Sequence, residues 1–234
     1  KNVISQYVRE SGGGQLIFIA EDLPACGYRC YAVGDAEAQS PPTVLSGDAD
    51  QRRVENEYYR ITCDATGGIA SIMDKTSHRE LVPEHAVLNR YVNCGESGRS
   101  AAITLENLGP VMANLNIIST DPPGVTQRHI TRVRLYAGVD CVALEHAFET
   151  DEAIQEAYFD FPLNITATPA YTLEGPSATV LTPGRDEFDE ARCEHWNSFG
   201  FIDIGETSDQ HGIQFFTPDA RQCYLGGRID GTKM

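Results

Sequence analysis

Residues 54–81 read VENEYYRITCDATGGIASIMDKTSHREL, and this stretch is the part of the sequence that best predicts the fold. Tyr59, Ile61 and Cys63 alternate with Arg60 and other polar side chains. Successive side chains of a strand point to opposite faces, so this alternation is typical of a half-buried β-strand.

A hairpin and a third strand are predicted to follow. Residues 65–68 (Ala-Thr-Gly-Gly) form a short loop whose glycines can take positive φ, and the apolar run 69–73 can return beside the first strand. Residues 74–77 supply a polar turn before a further strand from 79 to 82. Three strands therefore begin a sheet.

Further strand-like runs continue to the end of the chain, separated by turn residues at intervals of about 10–15 residues. The runs are 87–92, 101–105, 111–119, 125–136, 141–148, 158–162, 171–173, 199–204 and 213–216. Only residues 186–194 could form one or two helical turns. The fold class is therefore predicted to be all-β, a large and mostly antiparallel β-sandwich of the supersandwich kind.

The N-terminal part of the chain differs from the rest. Its strand signals, 15–20 and 28–33, are too few to bury a core, and residues 34–51 have the Gly, Ala, Ser, Pro and Asp content of a linker. We predict that residues 1–50 contain remnant strands of a preceding small β-domain plus a linker. Residues 51–234 would form a truncated C-terminal β-sandwich domain, in a chain cut from a longer protein.

Short motifs in the first third of the chain resemble glycoside hydrolase family 38, the α-mannosidases. The Asn-Glu-Tyr opening at 56–58, the Gly-Gly-Ile-Ala-Ser-Ile return at 67–72 and the Asp-Lys pair at 74–75 are similar to the start of the large C-terminal β-domain of those enzymes. Residues 21–29, EDLPACGYR, resemble the segment that precedes that domain. The resemblance covers most of the chain, and its motifs are most specific up to about residue 81.

This resemblance implies that the parent protein is a retaining, zinc-dependent glycoside hydrolase acting on mannosides. In the family, the zinc ligands and the nucleophile lie in an N-terminal catalytic domain that these residues do not include. We therefore expect no catalytic residue, metal site or cofactor in this segment, which alone would be inactive. Its expected role is to shape and support the carbohydrate-binding cleft, with the catalytic domain of the same chain as its partner.

One polar, glycine-rich loop is the candidate contact with that cleft. Residues 93–100 interrupt apolar strands, and a loop at the equivalent place in the family reaches towards the sugar. Glu96, Arg99 and Ser100 are the substrate-cleft candidates, although Arg99 and Ser100 stand where relatives carry an aromatic residue. The alternative interpretation is a plain surface loop.

The other residues that could take part in catalysis, sugar binding or metal binding form no recognisable site. Glu145 and Glu149 share a strand face, but no obvious group would raise a pKa as glycosidase acid catalysis requires. Trp196 could stack on a sugar or anchor a core. The six histidines show no metal-binding spacing. They are His78, His85, His129, His146, His195 and His211.

Composition excludes some partners. Thirty-four acidic against eighteen basic residues give a net charge of −16, which disfavours nucleic acid and anionic membranes. Seven cysteines, an odd number without a C-x-x-C pair, favour reduced thiols and a cytoplasmic location.

Two other classes of protein remain open. A stand-alone carbohydrate-binding or adhesion module would have the same strand pattern without an attached enzyme. Another hydrolase or lyase with a similar sandwich is the third possibility.

Overall fold

The structure of the chain is a computed structural model. It describes residues 3–10, 13–34, 44–93, 96–97, 100–119, 122, 124–125, 127–151, 153–154, 157–165, 169–175, 180–182, 196–197, 200–206, 211–217, 222–223 and 225. These residues contain β-strands and no helix, so the predicted all-β class is confirmed. Among them, none belongs to a helix with the length and apolar character needed to cross a membrane.

The described strands follow one another along the whole chain. They are β1 Ser5–Glu10, β2 Gly13–Phe18, β3 Ser46–Asp48, β4 Arg53–Glu55, β5 Tyr59–Cys63, β6 Ile69–Asp74, β7 Arg79–Glu80, β8 Arg90–Asn93, β9 Glu96–Ser97, β10 Ala101–Glu106, β11 Met112–Ser119, β12 Arg128–Tyr136, β13 Val142–Glu149, β14 Ala157–Asp160, β15 Pro169–Glu174, β16 Val180–Leu181, β17 Trp196–Asn197, β18 Phe201–Glu206, β19 Gly212–Phe216 and β20 Gln222–Cys223.

All pairings between the described strands are antiparallel, and the chain divides into two compact units, 1–164 and 165–234. The first unit contains a five-stranded sheet, β3-β4-β5-β6-β7, a four-stranded sheet, β10-β11-β12-β13, a three-stranded sheet, β14-β8-β9, and the β1-β2 hairpin. The second contains β16-β15-β18-β19 and the β17-β20 pair. The predicted boundary near residue 50 stays a prediction.

The core of the first unit lies between the five-stranded and four-stranded sheets. Both sheets contribute residues to one buried apolar cluster, and each large aliphatic side chain buried there stabilises the fold by about 1.5–3 kcal/mol. The fully or almost fully buried members are Leu45, Val54, Ile61, Cys63, Ile69, Ile72, Val82, Leu88, Ala113, Leu115, Ile117, Val133 and Leu135. This is the sandwich that the alternating sequence pattern predicts.

The predicted hairpin at the start of the sheet is confirmed, with β7 as its third strand. The carboxylate of Asp64 closes the turn by accepting hydrogen bonds from Thr66 and from the Gly68 amide. Gly67 has φ of 91°, and a Cβ there would lie 2.5 Å from a methyl of Ile117. Glycine at 67 therefore allows the turn to pack closely against β11.

Asn56, from the Asn-Glu-Tyr motif, ties the five-stranded sheet to the four-stranded sheet. Its side chain is fully buried. Its Nδ2 donates to the carbonyls of Tyr136, at 3.0 Å, and Val139, at 3.3 Å. Its Oδ1 accepts from the amides of Tyr58, at 3.0 Å, and Tyr59, at 2.7 Å. One side chain thus satisfies four backbone groups in two segments about 80 residues apart.

Gln6 attaches the β1-β2 hairpin to the turn between β10 and β11. Its Oε1 accepts from the amides of Val111, at 3.0 Å, and Met112, at 2.8 Å. Its Nε2 donates to the carbonyl of Asn107 at 2.6 Å. The first hairpin is therefore bonded through one side chain to the edge of the large sheet.

Two local predictions for the first fifty residues are wrong. Residues 28–33 form no strand and have no partner strand among the described residues. Tyr28 and Val33 are 84% and 86% exposed, and only Tyr31 is half-buried, where its ring packs against Phe18 at 4.7 Å. The linker predicted at 34–51 contains β3, which pairs with β4. The helical turn predicted within 186–194 lies outside the described residues.

Candidate functional site

The predicted loop at 93–100 contains a short hairpin. β9 pairs with β8 so that Asn93 lies opposite Glu96 and Val92 opposite Ser97. Ser100 is exposed, whereas Arg99 and the side chain of Glu96 lie outside what the structure describes. The described atoms therefore do not bring the three candidates together, and their role at a substrate cleft stays a prediction.

A small cleft lies beside the beginning of β8. Its open space is about 370 Å³, including the solvent at its mouth. The turn after β5, the start of β8 and the ends of β11 and β12 supply its walls. The lining residues are Thr66, Gly67, Gly68, Asn89, Arg90, Tyr91, Ile117, Ser119, Pro122, His129 and Thr131.

Two of the residues that line the cleft, Tyr91 and His129, belong to a cluster of aromatic rings. The register of β12 and β13 places Thr131 opposite His146 and His129 opposite Phe148, all on the face that continues the apolar core. The imidazole of His129 stacks on Phe148 with ring centroids 4.4 Å apart, and that of His146 stacks on Phe159 of β14 at 3.7 Å. The two histidines therefore lie in an apolar, ring-lined environment.

A chain of hydrogen bonds connects the two imidazoles to both sides of the cleft. His146 Nε2 lies 3.2 Å from Asn89 Oδ1, which can only accept, so the Nε2 hydrogen is on His146. His146 Nδ1 is then an acceptor, and two donors reach it, the hydroxyl of Thr131 at 3.1 Å and Nε2 of His129 at 3.3 Å. His129 Nδ1 accepts in turn from the hydroxyl of Ser119 at 3.5 Å. One tautomer of each neutral ring satisfies the whole chain.

The surroundings of both rings favour this neutral state. Burial lowers the pKa of His129 to about 4. Burial, and then the neighbouring charge of His129, lowers the pKa of His146 to about 3. Neither imidazole is therefore charged at neutral pH, because a cation there would lose its hydration without gaining a carboxylate partner.

Two hydrogen-bond donors at the cleft have no partner among the described residues. Asn89 is 4% exposed, has a φ of 61°, and uses only its Oδ1 towards His146, which leaves Nδ2 unpaired. Nε of the adjacent Arg90 is also buried and unpaired, while its Nη2 lies 3.4 Å from Asp160. An unpaired buried N–H destabilises the folded state by about 1–3 kcal/mol. At the start of β8, two buried donors therefore lack a hydrogen-bond acceptor among the described residues.

This histidine pair was not predicted from the sequence, because the histidines were compared only with the short spacings that are typical of metal ligands. The two residues are 17 positions apart and meet only through the strand register. The signal that could have found them is alternation: His146 occupies the same face as Leu144 and Phe148, and His129 faces away from the arginines of β12.

Glu145 and Glu149 lie on the opposite, outer face of the same sheet. Glu145 forms ion pairs with Arg132 and Arg134, and Glu149 pairs with Arg128 at 2.5 Å. These carboxylates are matched by cations across the strands, which is a structural arrangement. The part of the chain that the structure describes holds no group of three or more potential metal ligands.

Comparison with known proteins gives a likeness of fold. The sequence matches no protein-family model and no curated protein. Among solved structures, the chain is similar to an α-mannosidase from Enterococcus faecalis V583, with a TM-score of 0.64 and 14% sequence identity. The match covers 96% of this chain and 31% of that chain, so this chain spans about a third of the mannosidase.

The fold therefore defines an all-β, sandwich-like protein with the architecture of one portion of an α-mannosidase chain. That match takes in nearly all of the present chain.

Proposed function

We propose that this chain is the C-terminal β-sandwich segment of an α-mannosidase-like glycoside hydrolase of family 38. The observation that carries the proposal is the likeness of fold over 96% of the chain to part of an α-mannosidase. The motifs at 21–29, 56–58, 67–72 and 74–75 support it, because they occur in the order typical of that family.

In this proposal the chain is a rigid support for a catalytic domain. Asn56 and the apolar core lock the two large sheets together, and the outer face of β12 and β13 is neutralised by ion pairs. Binding residues tend to lie on loops held by such a scaffold. Zinc and the catalytic carboxylates would belong to the catalytic domain, with a mannoside as substrate and neither nucleic acid nor membrane as a partner. We also propose a cytoplasmic location.

The proposal predicts the size and activity of the protein that carries this sequence in its source. Immunoprecipitated with an antibody against this chain, that protein should have a mass about three times 25.6 kDa, because 96% of this chain matches 31% of the neighbour. It should hydrolyse an aryl α-mannoside and lose this activity to a zinc chelator. The purified 234-residue chain should give no turnover with added zinc.

A different result would favour one of the alternative classes. A protein of 25.6 kDa that binds mannosides without hydrolysing them would indicate a stand-alone carbohydrate-binding module. Turnover of another glycoside or a polysaccharide, but not of α-mannosides, would indicate a different hydrolase or lyase.

The loop prediction can be tested in the full-length enzyme. If Glu96 and Arg99 reach the carbohydrate-binding cleft of the full-length enzyme, the double variant Glu96→Ala/Arg99→Ala should raise KM or lower kcat at least threefold. The thermal stability should stay within about 0.5 kcal/mol, as is usual for surface substitutions. Glu84→Ala, at a side chain that is 89% exposed, is the control and should leave the kinetics unchanged. If the double variant kept wild-type kinetics, residues 93–100 would be a plain surface loop that connects two strands.

A further inference from the structure

The three-stranded sheet β14-β8-β9 is held against the four-stranded sheet by side chains. Among the described residues, no backbone hydrogen bond joins β8, β9 or β14 to the strands β10 to β13. The backbone attaches the small sheet at its ends instead. Leu88 exchanges two hydrogen bonds of 2.8 Å with Ile69 of β6, and the amide of Asn164, which follows β14, donates to the carbonyl of Leu81 at 2.9 Å. Loss of the side-chain contacts would therefore leave the small sheet attached at these two points.

Several of those side-chain contacts meet at the two histidines. The ring of Tyr91 on β8 packs against that of His129 with centroids 4.9 Å apart, and Phe159 of β14 stacks on His146 at 3.7 Å. Directly before β8, Asn89 accepts a hydrogen bond from His146 Nε2 at 3.2 Å. We call these five residues the histidine contact.

The hydrogen bonds of the histidine contact accommodate one added proton but not two. In the neutral pair, His129 Nε2 donates to His146 Nδ1. If His146 gains a proton at Nδ1, His129 can change tautomer, donate to Ser119 from Nδ1 and accept from His146 through Nε2. A second proton leaves a hydrogen on both facing nitrogens, which lie 3.3 Å apart, and makes both rings positive. The doubly protonated pair therefore loses its hydrogen bond and gains a repulsion.

The charges around the histidine contact do not offset this repulsion. Arg90 lines the same cleft and is itself positive, and Asp160 pairs with Arg90 at 3.4 Å rather than with an imidazole. Asp64, in the turn on the other side of the cleft, bonds to that turn. Glu145 and Glu149 lie with their arginine partners on the outer face of the sheet. Protons therefore bind both rings most readily when the rings leave the contact and reach water.

We propose that the histidine contact is an acid-sensitive device, in which double protonation releases the β14-β8-β9 sheet from the four-stranded sheet while the rest of the core stays folded. Local release lets the two imidazoles bind the same two protons as complete unfolding does, but it breaks fewer contacts, so it is populated first. Because β8 and β9 belong to the hairpin of the predicted loop at 93–100, release also changes the position of that loop. This inference concerns the chain alone and does not rest on the proposed function.

Hydrogen exchange of backbone amides in the 234-residue chain tests the proposal. Mass spectrometry would measure it at pH 8 and pH 5, with correction for the pH dependence of the intrinsic exchange rate. A small sheet without a packed face protects its amides poorly, so peptides that contain β8 and β14 report its release. The folded pKa values are about 4 for His129 and about 3 for His146, while an exposed histidine titrates near 6.5. Two protonations should therefore raise the opening constant of β8 and β14 about a thousandfold between pH 8 and pH 5.

Peptides that contain β5 and β6 provide the internal reference. At pH 5 they should stay better protected than β8 and β14, because the five-stranded sheet keeps its core. Equal protection of the two sets at pH 5 would mean that only complete unfolding responds to acid, which would overturn the proposal. Unchanged protection of β8 and β14 between the two pH values would overturn it as well.

Three variants assign the response to the two rings. His129→Gln and His146→Gln each remove one titrating group and should reduce the rise in the opening constant to about thirtyfold. The double variant should show almost no rise, whereas His211→Gln, at an exposed position, is the control and should keep the full thousandfold response. A full response in the double variant would place the acid sensitivity elsewhere and overturn the proposal. The comparison of strands in the unmodified chain remains decisive if a variant does not fold, and its failure leaves the α-mannosidase proposal intact.

Discussion

Acidification from pH 8 to pH 5 should lower the free energy of unfolding by about 4 kcal/mol through His129 and His146 alone. In the folded protein their pKa values are about 4 and about 3, whereas an unfolded histidine titrates near 6.5. Between these values the unfolded chain binds protons that the native chain does not. The contribution of the two neutral histidines to the free energy of unfolding is therefore fully present above about pH 6.5. It is lost as the pH falls towards their folded pKa values of about 4 and about 3.

The measurement is thermal or urea unfolding followed by circular dichroism at pH 8 and pH 5. Each histidine contributes about 2 kcal/mol of the expected loss, so His146→Gln should reduce the acid sensitivity by about half. The same variant should be less stable than the parent at pH 8, because it disturbs the bond to Asn89. His211→Gln, at an exposed position, is the control and should keep the full acid response. If His146→Gln and the parent lost the same free energy of unfolding between pH 8 and pH 5, burial of His146 would not be the cause of the acid sensitivity.

Asn56→Ala should be among the most damaging single substitutions in the chain. It removes the partner of two partly buried carbonyls and two backbone amides at once. Each buried group left unpaired costs about 1–3 kcal/mol, and partial relaxation gives an expected loss of about 3–5 kcal/mol. Urea denaturation at pH 8 measures this loss directly.

Asn164→Ala is the matched control for that experiment. Asn164 also donates its Nδ2 to a backbone carbonyl, that of Glu80, at 3.0 Å, but the side chain is exposed. Water can replace this bond, so the substitution should cost at most about 1 kcal/mol. If the two alanine variants lost equal stability, the joining of the two sheets by Asn56 would be refuted.

Local alternation predicted the parts of the fold whose partners lie nearby in the sequence. The hairpin of β5 and β6 has its turn chemistry and both apolar faces within 16 residues, so its register follows from the sequence itself. Residues 28–33 also gave a strand signal, but no described strand pairs with them, and of their side chains only Tyr31 is half-buried. β3 is the opposite case: its three residues carry no pattern, and pairing with β4 makes them a strand.

The cleft was harder to predict because its residues meet only through distant pairings. His129 and His146 depend on the register of two long strands, and Asn89 depends on a left-handed backbone at a position where asparagine tolerates positive φ. Unpaired donors such as Arg90 Nε are invisible in a sequence, since satisfaction of a hydrogen bond is a property of the packed chain.

Gln6 gives the amide hydrogens of Val111 and Met112 an unusual dependence on a distant part of the chain. Both hydrogens are held by a side chain more than 100 residues earlier, on the β1-β2 hairpin. The rate at which these two amides exchange with deuterium therefore depends on how often the β1-β2 hairpin detaches from the sheet. The amides that are hydrogen-bonded between β11 and β12 exchange only when the four-stranded sheet itself opens. The difference between these two rates measures, inside the intact protein, how far the first hairpin is an independent folding unit.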